Sequence, residues 1–274
     1  MPHEDSNIVL TKHEGLGNDF LIAVEPARPL TADDARAWCD RHRGVGADGL
    51  ISLTSVVRGS ATGAGLAVMA LWNADGSAAE ISGNGIRCVA QALAMHSGVC
   101  GPATFEVGTD AGLRRLSLDP TDDPHIVNVR VDMGSAGVGV ADSTAWADLG
   151  VELIRQQGVD LGNPHLVALV DEPDRYDISV VGPKVEAAYP DGLNVHLAKV
   201  IDRHSVTMKV WERGSGVTEA CGSGACAVGV ATTDWGLVDS PITVNMPGGA
   251  VTVEVGETVH LTGPARFIAR VEMP

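Results

Sequence analysis

Trp72 to Gly85 reads W-N-A-D-G-S-A-A-E-I-S-G-N-G, and Trp211 to Gly224 reads W-E-R-G-S-G-V-T-E-A-C-G-S-G. The tryptophan, a glutamate (Glu80 and Glu219), the central Ser82 or Cys221 and two glycines coincide at one offset, so Ser82 and Cys221 are counterparts. Each segment places a small nucleophilic or acid/base side chain before a Gly-x-Gly turn and a helix. Two such segments point to two catalytic groups facing one substrate.

The match extends outward in both directions. L-G-N-D-F-L-I-A-V from Leu16 answers L-G-N-P-H-L-V-A-L from Leu161 at an offset of 145. Asp48-Gly49-Leu50 answers Asp191-Gly192-Leu193 at 143, and Met69-Ala70-Leu71-Trp72 answers Met208-Lys209-Val210-Trp211 at 139. Matches that keep their order while the offset drifts are what a duplication with small loop indels produces. A repeat this long implies two homologous lobes, since a solenoid has a far shorter period.

Pattern gives the content of each lobe. In the first, Ile8 to Lys12 and Leu21 to Val24 read as strands, and Ala32 to Arg43 as a helix N-capped by Thr31. Leu50 to Leu53 and Leu66 to Trp72 follow as strands. Beyond the turn at Ser82 to Gly85, Ile86, Val89, Ala90 and Leu93 at helical spacing predict a helix to about Met95. Thr104 to Val107, Leu113 to Ser117 and Ile126 to Asp132 read as further strands. The second half repeats the scheme, with Ala225 to Thr232 as the helix after Cys221. Short strands around one prominent helix per lobe give an α+β fold of two homologous lobes. The boundary is expected in the Gly-rich stretch Met133 to Gly139, making residues 1–133 the first lobe and 134–263 the second.

Composition limits the class of function. The chain has 274 residues, 45% of them apolar, 33 glycines and few aromatics, which suits many strands and turns packed with small residues. A net charge of −16 argues against nucleic acid or an anionic membrane as partner, since both need a basic footprint. The opening M-P-H-E-D-S-N-I-V-L lacks the basic and apolar regions of a signal peptide, and no stretch approaches a membrane span, so a cytoplasmic protein is expected. Cys39, Cys88, Cys100, Cys221 and Cys226 have no framework spacing and read as reduced thiols. The nine histidines form no Cys/His cluster of zinc spacing, so no metal site is expected.

Several motifs compete with plainer readings. Gly44-Val45-Gly46-Ala47-Asp48-Gly49 fits G-x-G-x-x-G, but it follows a helix and precedes a strand, the wrong context for a dinucleotide site. A helix end and turn is the better reading. The turns S-G-N-G and C-G-S-G instead lie between a strand and a helix N-terminus, whose unpaired amides and dipole suit a carboxylate. That field also favours ionisation of a thiol, which makes Cys221 a candidate base. A free cysteine is more often a buried small residue, yet the glycines flanking Cys221 suit close approach of a ligand. Asn18, Asn73, Asn163 and Asn194 are each turn residues on their own; in duplicated positions they suggest a polar cage for a zwitterion. Arg213 of Glu212-Arg213 is placed to clamp a carboxylate. His165 has Phe20 as its counterpart, so only one lobe carries a titratable group there.

K-H-E-G-L-G-N-D-F, R-G-V-G-A-D-G-L, N-A-D-G-S-A-A-E-I-S-G-N-G-I-R-C, G-N-P-H, E-R-G and A-C-G-S-G-A-C-A together resemble the diaminopimelate epimerase family over nearly the whole chain. The resemblance implies a homodimeric amino acid epimerase that interconverts LL- and meso-diaminopimelate without pyridoxal phosphate or metal. It implies one acid/base residue on each lobe, Cys221 and Ser82, in a cleft between the lobes. Asn18, Asn73, Gly83, Asn84, Asn163, Asn194, Glu212, Arg213, Gly222 and Ser223 match the substrate-binding positions. His165 and Glu212 match groups that tune the catalytic thiols. The last strand, in 264–274, is implied to return to the first lobe.

Two positions depart from the family pattern: Ser82 stands where cysteine is usual, and Gly49 where some members carry glutamine. A serine hydroxyl is a far weaker acid than a thiol and a poor unaided base. This leaves open a working enzyme, a catalytically impaired one, and a substrate-shifted relative such as an amino acid racemase or a ligand-binding protein.

Overall fold

The computed structural model describes residues 7–57 and 65–273, and the chain divides into two compact lobes. One runs to Val131 and takes up the chain again from Gly263; the other is Asp132–Thr262. The first contains β1 (Ile8–Gly15), β2 (Asn18–Val24), α1 (Ala32–Cys39), β3 (Gly49–Val57), β4 (Gly65–Asn73), β5 (Ala78–Ala79), α2 (Gly83–Ser97), β6 (Ala103–Thr109), β7 (Gly112–Pro120) and β8 (Ile126–Asp132). The second contains β9 (Gly137–Val138), β10 (Arg155–Asp160), β11 (Pro164–Leu169), α3 (Ile178–Glu186), β12 (Asn194–Asp202), β13 (Ser205–Glu212), β14 (Gly216–Val217), α4 (Gly222–Asp234), β15 (Ile242–Met246) and β16 (Gly249–Val255). The final strand β17 (Val259–Met273) pairs with β16 through Val259–Thr262 and with β1 from Arg266 onward.

The duplication is written into strand pairing. β2 runs parallel to β3 and β11 parallel to β12, while β3–β4 and β12–β13 are antiparallel hairpins. Parallel pairs recur at β4–β6 and β13–β15. Phe20 faces Gly49 in the first lobe, and His165 faces Asn194 in the second. The structural counterpart of Gly49 is therefore Asn194, two residues beyond the Gly192 that the Asp-Gly-Leu match suggests. Gly192 lies before β12 with a φ of +64°, a turn position that happens to share a tripeptide. The offset drops to 139 at the following hairpin, which Arg203 and His204 close in the second lobe.

α2 and α4 are built of small residues and are buried all round. Residues Gly83 to Ala94 and Gly222 to Thr232 are buried without interruption, the pattern of a core helix and not of an amphipathic surface one. α4 packs against β10 to β13, β15 and β16. α1 and α3 are the amphipathic partners, each covering a second core. Ala35, Trp38 and Cys39 pack with Leu10, Leu21 and Leu50, and Ile178, Val181 and Val185 pack with Leu166, Val195 and Leu197. α1 begins as the sequence indicates: the Thr31 hydroxyl accepts from the Asp34 amide, whose carboxylate accepts from the Thr31 amide. It stops at Cys39, short of the expected Arg43, because Asp40 leaves helical geometry and its carboxylate takes the amides of His42 and Arg43.

Candidate active site

Ser82 and Cys221 occupy the same local geometry. Each is the N-cap of the buried helix of its lobe, with φ/ψ of −126°/121° for Ser82 and −130°/111° for Cys221. The Gly85 amide donates to Ser82 Oγ at 3.0 Å, and the Gly224 amide donates to Cys221 Sγ at 3.3 Å. The helices start at Gly83 and Gly222, so the glycines of each turn are already helical. Their first amides lie at the positive end of the dipole, where a carboxylate is stabilised.

The surroundings of the two caps differ. A side chain at Gly85 would meet Ser82 Cβ, Ile51 and Phe20 at 3.1 to 3.3 Å; one at Gly224 would meet the His196 ring at 2.4 Å and Cys221 Sγ at 3.1 Å. Phe20 and Ile51 thus underlie the serine turn where His196 underlies the cysteine turn. His165 was legible from the repeat, whereas His196 was missed; the signal was a buried histidine on β12 at the position equivalent to Ile51 of β3. His165 Nδ1 lies 2.9 Å from His196 Nε2, and His165 Nε2 lies 2.9 Å from Asn163 Oδ1. His165 thus reaches the cysteine turn through His196, and among the described residues it makes no hydrogen bond to Cys221.

Cys221 is 3% exposed. Burial pushes its thiol well above the ordinary range, and the Glu212 carboxylate beside it pushes further; the Gly224 amide and the Ser223 hydroxyl, 3.6 Å from Sγ, pull the other way. The easier ionisation expected from the helix terminus is therefore outweighed by burial and by Glu212. Thr218 donates its hydroxyl to Glu212 Oε1, fixing that carboxylate.

The remaining sequence-derived site residues divide by what their side chains already do. Asn18 donates Nδ2 to Asp48 at 2.8 Å, and Asp48 in turn accepts from Arg41 at 2.7 Å, so the G-V-G-A-D-G segment is a turn between α1 and β3 that orients Asn18. Asn73 donates to Ser77 within the β4–β5 turn. Asn84 is 2% exposed and turns its oxygen to the buried Arg87. Asn194 uses both ends of its carboxamide, donating to Pro164 O and accepting from the Arg213 amide at 3.0 Å each. The Arg213 guanidinium is exposed and tethered to Asp191 O. Gly222 and Ser223 begin α4 beside Cys221. Gly49 has no room for a side chain, since its Cβ would lie 2.9 Å from Trp72 O and 3.2 Å from Phe20.

Each lobe thus carries an N-capping hydroxyl or thiol at the start of its buried helix, and comparison with known proteins identifies the family. The diaminopimelate epimerase family model matches residues 10–138 and 158–268. The chain belongs to the diaminopimelate epimerase family. Diaminopimelate epimerase of Magnetococcus marinus is 36% identical over 96% of this chain and 95% of its own length. That of Bacteroides thetaiotaomicron is 35% identical over 98% of each, and that of Rhizorhabdus wittichii 38% identical over 95% and 93%. In fold, a hydroxyproline epimerase from Agrobacterium vitis superposes with a TM-score of 0.71 at 17% identity, covering 98% of this chain and 93% of that one. A phenazine biosynthesis protein of the PhzF family from Bacillus anthracis gives 0.70 at 15%, covering 98% and 99%. As a member of this family the chain is an epimerase, an enzyme of the isomerase class. No helix among the described residues is long and apolar enough to cross a membrane.

Proposed function

We propose that this enzyme interconverts LL- and meso-diaminopimelate by proton transfer at the α-carbon, with Cys221 and Ser82 addressing opposite faces of that carbon. The observation that carries the proposal is the paired cap geometry. A substrate α-carboxylate held on the amides of Gly83–Asn84 and Gly222–Ser223 would have its developing carbanion stabilised by both helix termini, an electrostatic term that often dominates such steps. Asn18, Asn73, Asn163, Asn194, Glu212 and Arg213 complete the recognition set, Asn194 acting by holding Arg213 in place.

The resting thiol defines the order of events. Cys221 enters as an acid and becomes a base only once its proton has left. A substrate ammonium at Glu212 would cancel the carboxylate charge that raises the thiol, leaving the Gly224 amide and Ser223 hydroxyl to stabilise a thiolate. Once the Cys221 proton has passed to solvent water, the thiolate removes the α-proton, and the Ser82 hydroxyl, directly or through water, delivers its own proton to the other face and is reprotonated from solvent, since a carbanion is a stronger base than an alkoxide. In the reverse direction Ser82 must act as the base, with Phe20 and Ile51 packed at its turn. That asymmetry supports slow turnover and, as a second reading, a chain that retains binding with impaired catalysis.

Incubation of each stereoisomer in heavy water tests both. Deuterium should enter one α-carbon, and for the isomer presented to Cys221 it should appear in recovered substrate faster than in inverted product. No exchange after prolonged incubation sinks diaminopimelate as the substrate. The same reading places the enzyme in the cytoplasm as a homodimer; light scattering of the purified chain checks the latter.

A further inference from the structure

The Asn163–His165–His196 chain of the second lobe has a direction. Both rings are buried, at 1% and 0% exposure, and burial lowers both imidazoles, His196 to about 3, so each carries a single proton near neutral pH. Asn163 turns its carbonyl oxygen to His165 Nε2. A carbonyl only accepts, so His165 carries its proton on Nε2 and leaves Nδ1 as a lone pair. His196 must then donate from Nε2, and its own Nδ1 is bare. His196 Nδ1 is the atom that is buried without a hydrogen-bond partner among the described residues.

That orphan decides the direction. Reversing both tautomers and flipping the Asn163 carboxamide would keep the two internal hydrogen bonds, but it would place a proton on His196 Nδ1 where nothing accepts it. A buried unpaired N–H is the rarer and costlier defect than an unpaired acceptor. The consequence emerges at the other end of the chain. Asn163 is half-buried, its oxygen is committed inward, and no acceptor among the described residues takes its Nδ2 hydrogens. The first lobe has Phe20 and Ile51 at the equivalent places and no such device.

We propose that His196 is a positioning residue that, through the His165 tautomer, locks Asn163 with its N–H groups toward the ligand, making this corner a donor site specific for a carboxylate oxygen. The assignment depends on the substrate-binding role proposed for Asn163, but its first test needs no substrate. Nitrogen-15 NMR of the histidine rings in the full chain should show both His165 and His196 as Nε2–H tautomers. Either ring found mainly as Nδ1–H, or as imidazolium, at neutral pH overturns the proposal. His196→Gln, whose carboxamide can either donate to or accept from His165 Nδ1, removes the bias. His165 should then populate both tautomers, and KM should rise at least about twofold with kcat little changed, because the competent fraction of Asn163 divides the affinity. A tautomer that does not move, or one that moves with KM unchanged, also overturns it. Wild-type protein that exchanges no α-hydrogen of diaminopimelate overturns the proposed substrate instead, and leaves the tautomer result to stand alone.

Discussion

Serine is among the best N-capping residues and cysteine is not, yet both caps adopt one geometry. At Ser82 the residue suits the cap; at Cys221 the weaker cap is kept, in line with the proton-transfer role proposed for the thiol. Cys221→Ser is therefore expected to hold or raise stability, by about 0.5–1 kcal/mol in denaturant titration, while turnover falls by ~10²–10⁴, the usual worth of a positioned acid/base group. Ser82→Cys should move turnover in the opposite direction by ~10² or more, and an unchanged rate would show that serine suffices. Because burial and Glu212 raise the Cys221 thiol, the ascending limb of kcat/KM in the direction where Cys221 is the base should lie above the ordinary thiol range near roughly 8.5. A limb near neutrality would show that the free enzyme already holds a thiolate.

Helix and strand boundaries were legible wherever neighbours in sequence set them. The Thr31 cap, the spacing of Ile86, Val89 and Leu93, and the strand Ile126–Asp132 all follow from local pattern. The starts of α2 and α4 were placed late because glycine is a weak helix former; burial of both helix N-termini among strands overrides that preference. The two Gly-x-Gly turns look alike in sequence, but their third positions face different neighbours. Gly224→Ala would drive a methyl group to within 2.4 Å of His196, whereas Gly85→Ala meets Ser82, Ile51 and Phe20 at 3.1 Å or more. The first substitution should cost about 1–3 kcal/mol of overpacking and disturb the Cys221 cap; the second should cost less. Equal losses in urea midpoint and exchange rate would contradict the assigned role of His196 beneath the turn.

Across the whole molecule, buried titratable groups confine stability to a window. His13 is lowered to about 4 and His196 to about 3, with His165 also well below its ordinary value, all chiefly by burial. The unfolded chain takes up these protons below roughly pH 6.5 while the native chain does not, so stability is complete above that pH and falls as pH drops toward the folded values. Cys39 and Cys88 are raised to about 12 and Cys221 is raised as well. Unfolded thiols ionise above roughly pH 8.5 and native ones do not, so stability falls again on the alkaline side. Urea midpoints at constant ionic strength should therefore form a plateau between these limits, and a monotonic profile through both would refute the burial of these groups.

The duplication, the α+β content, the identity of the two capping residues and the family were all readable in the chain, because repeats, turns and periodicity are properties of residues close in sequence. What only the tertiary structure decided are the partners. It aligned Gly49 with Asn194 through strand register and set His196 against His165, thirty-one residues away. It also turned Asn84 inward to Arg87, tied Asn163 to His165, and reversed the expected direction of the Cys221 thiol shift. Desolvation and hydrogen-bond direction depend on atoms brought together from distant strands, and no local pattern encodes them.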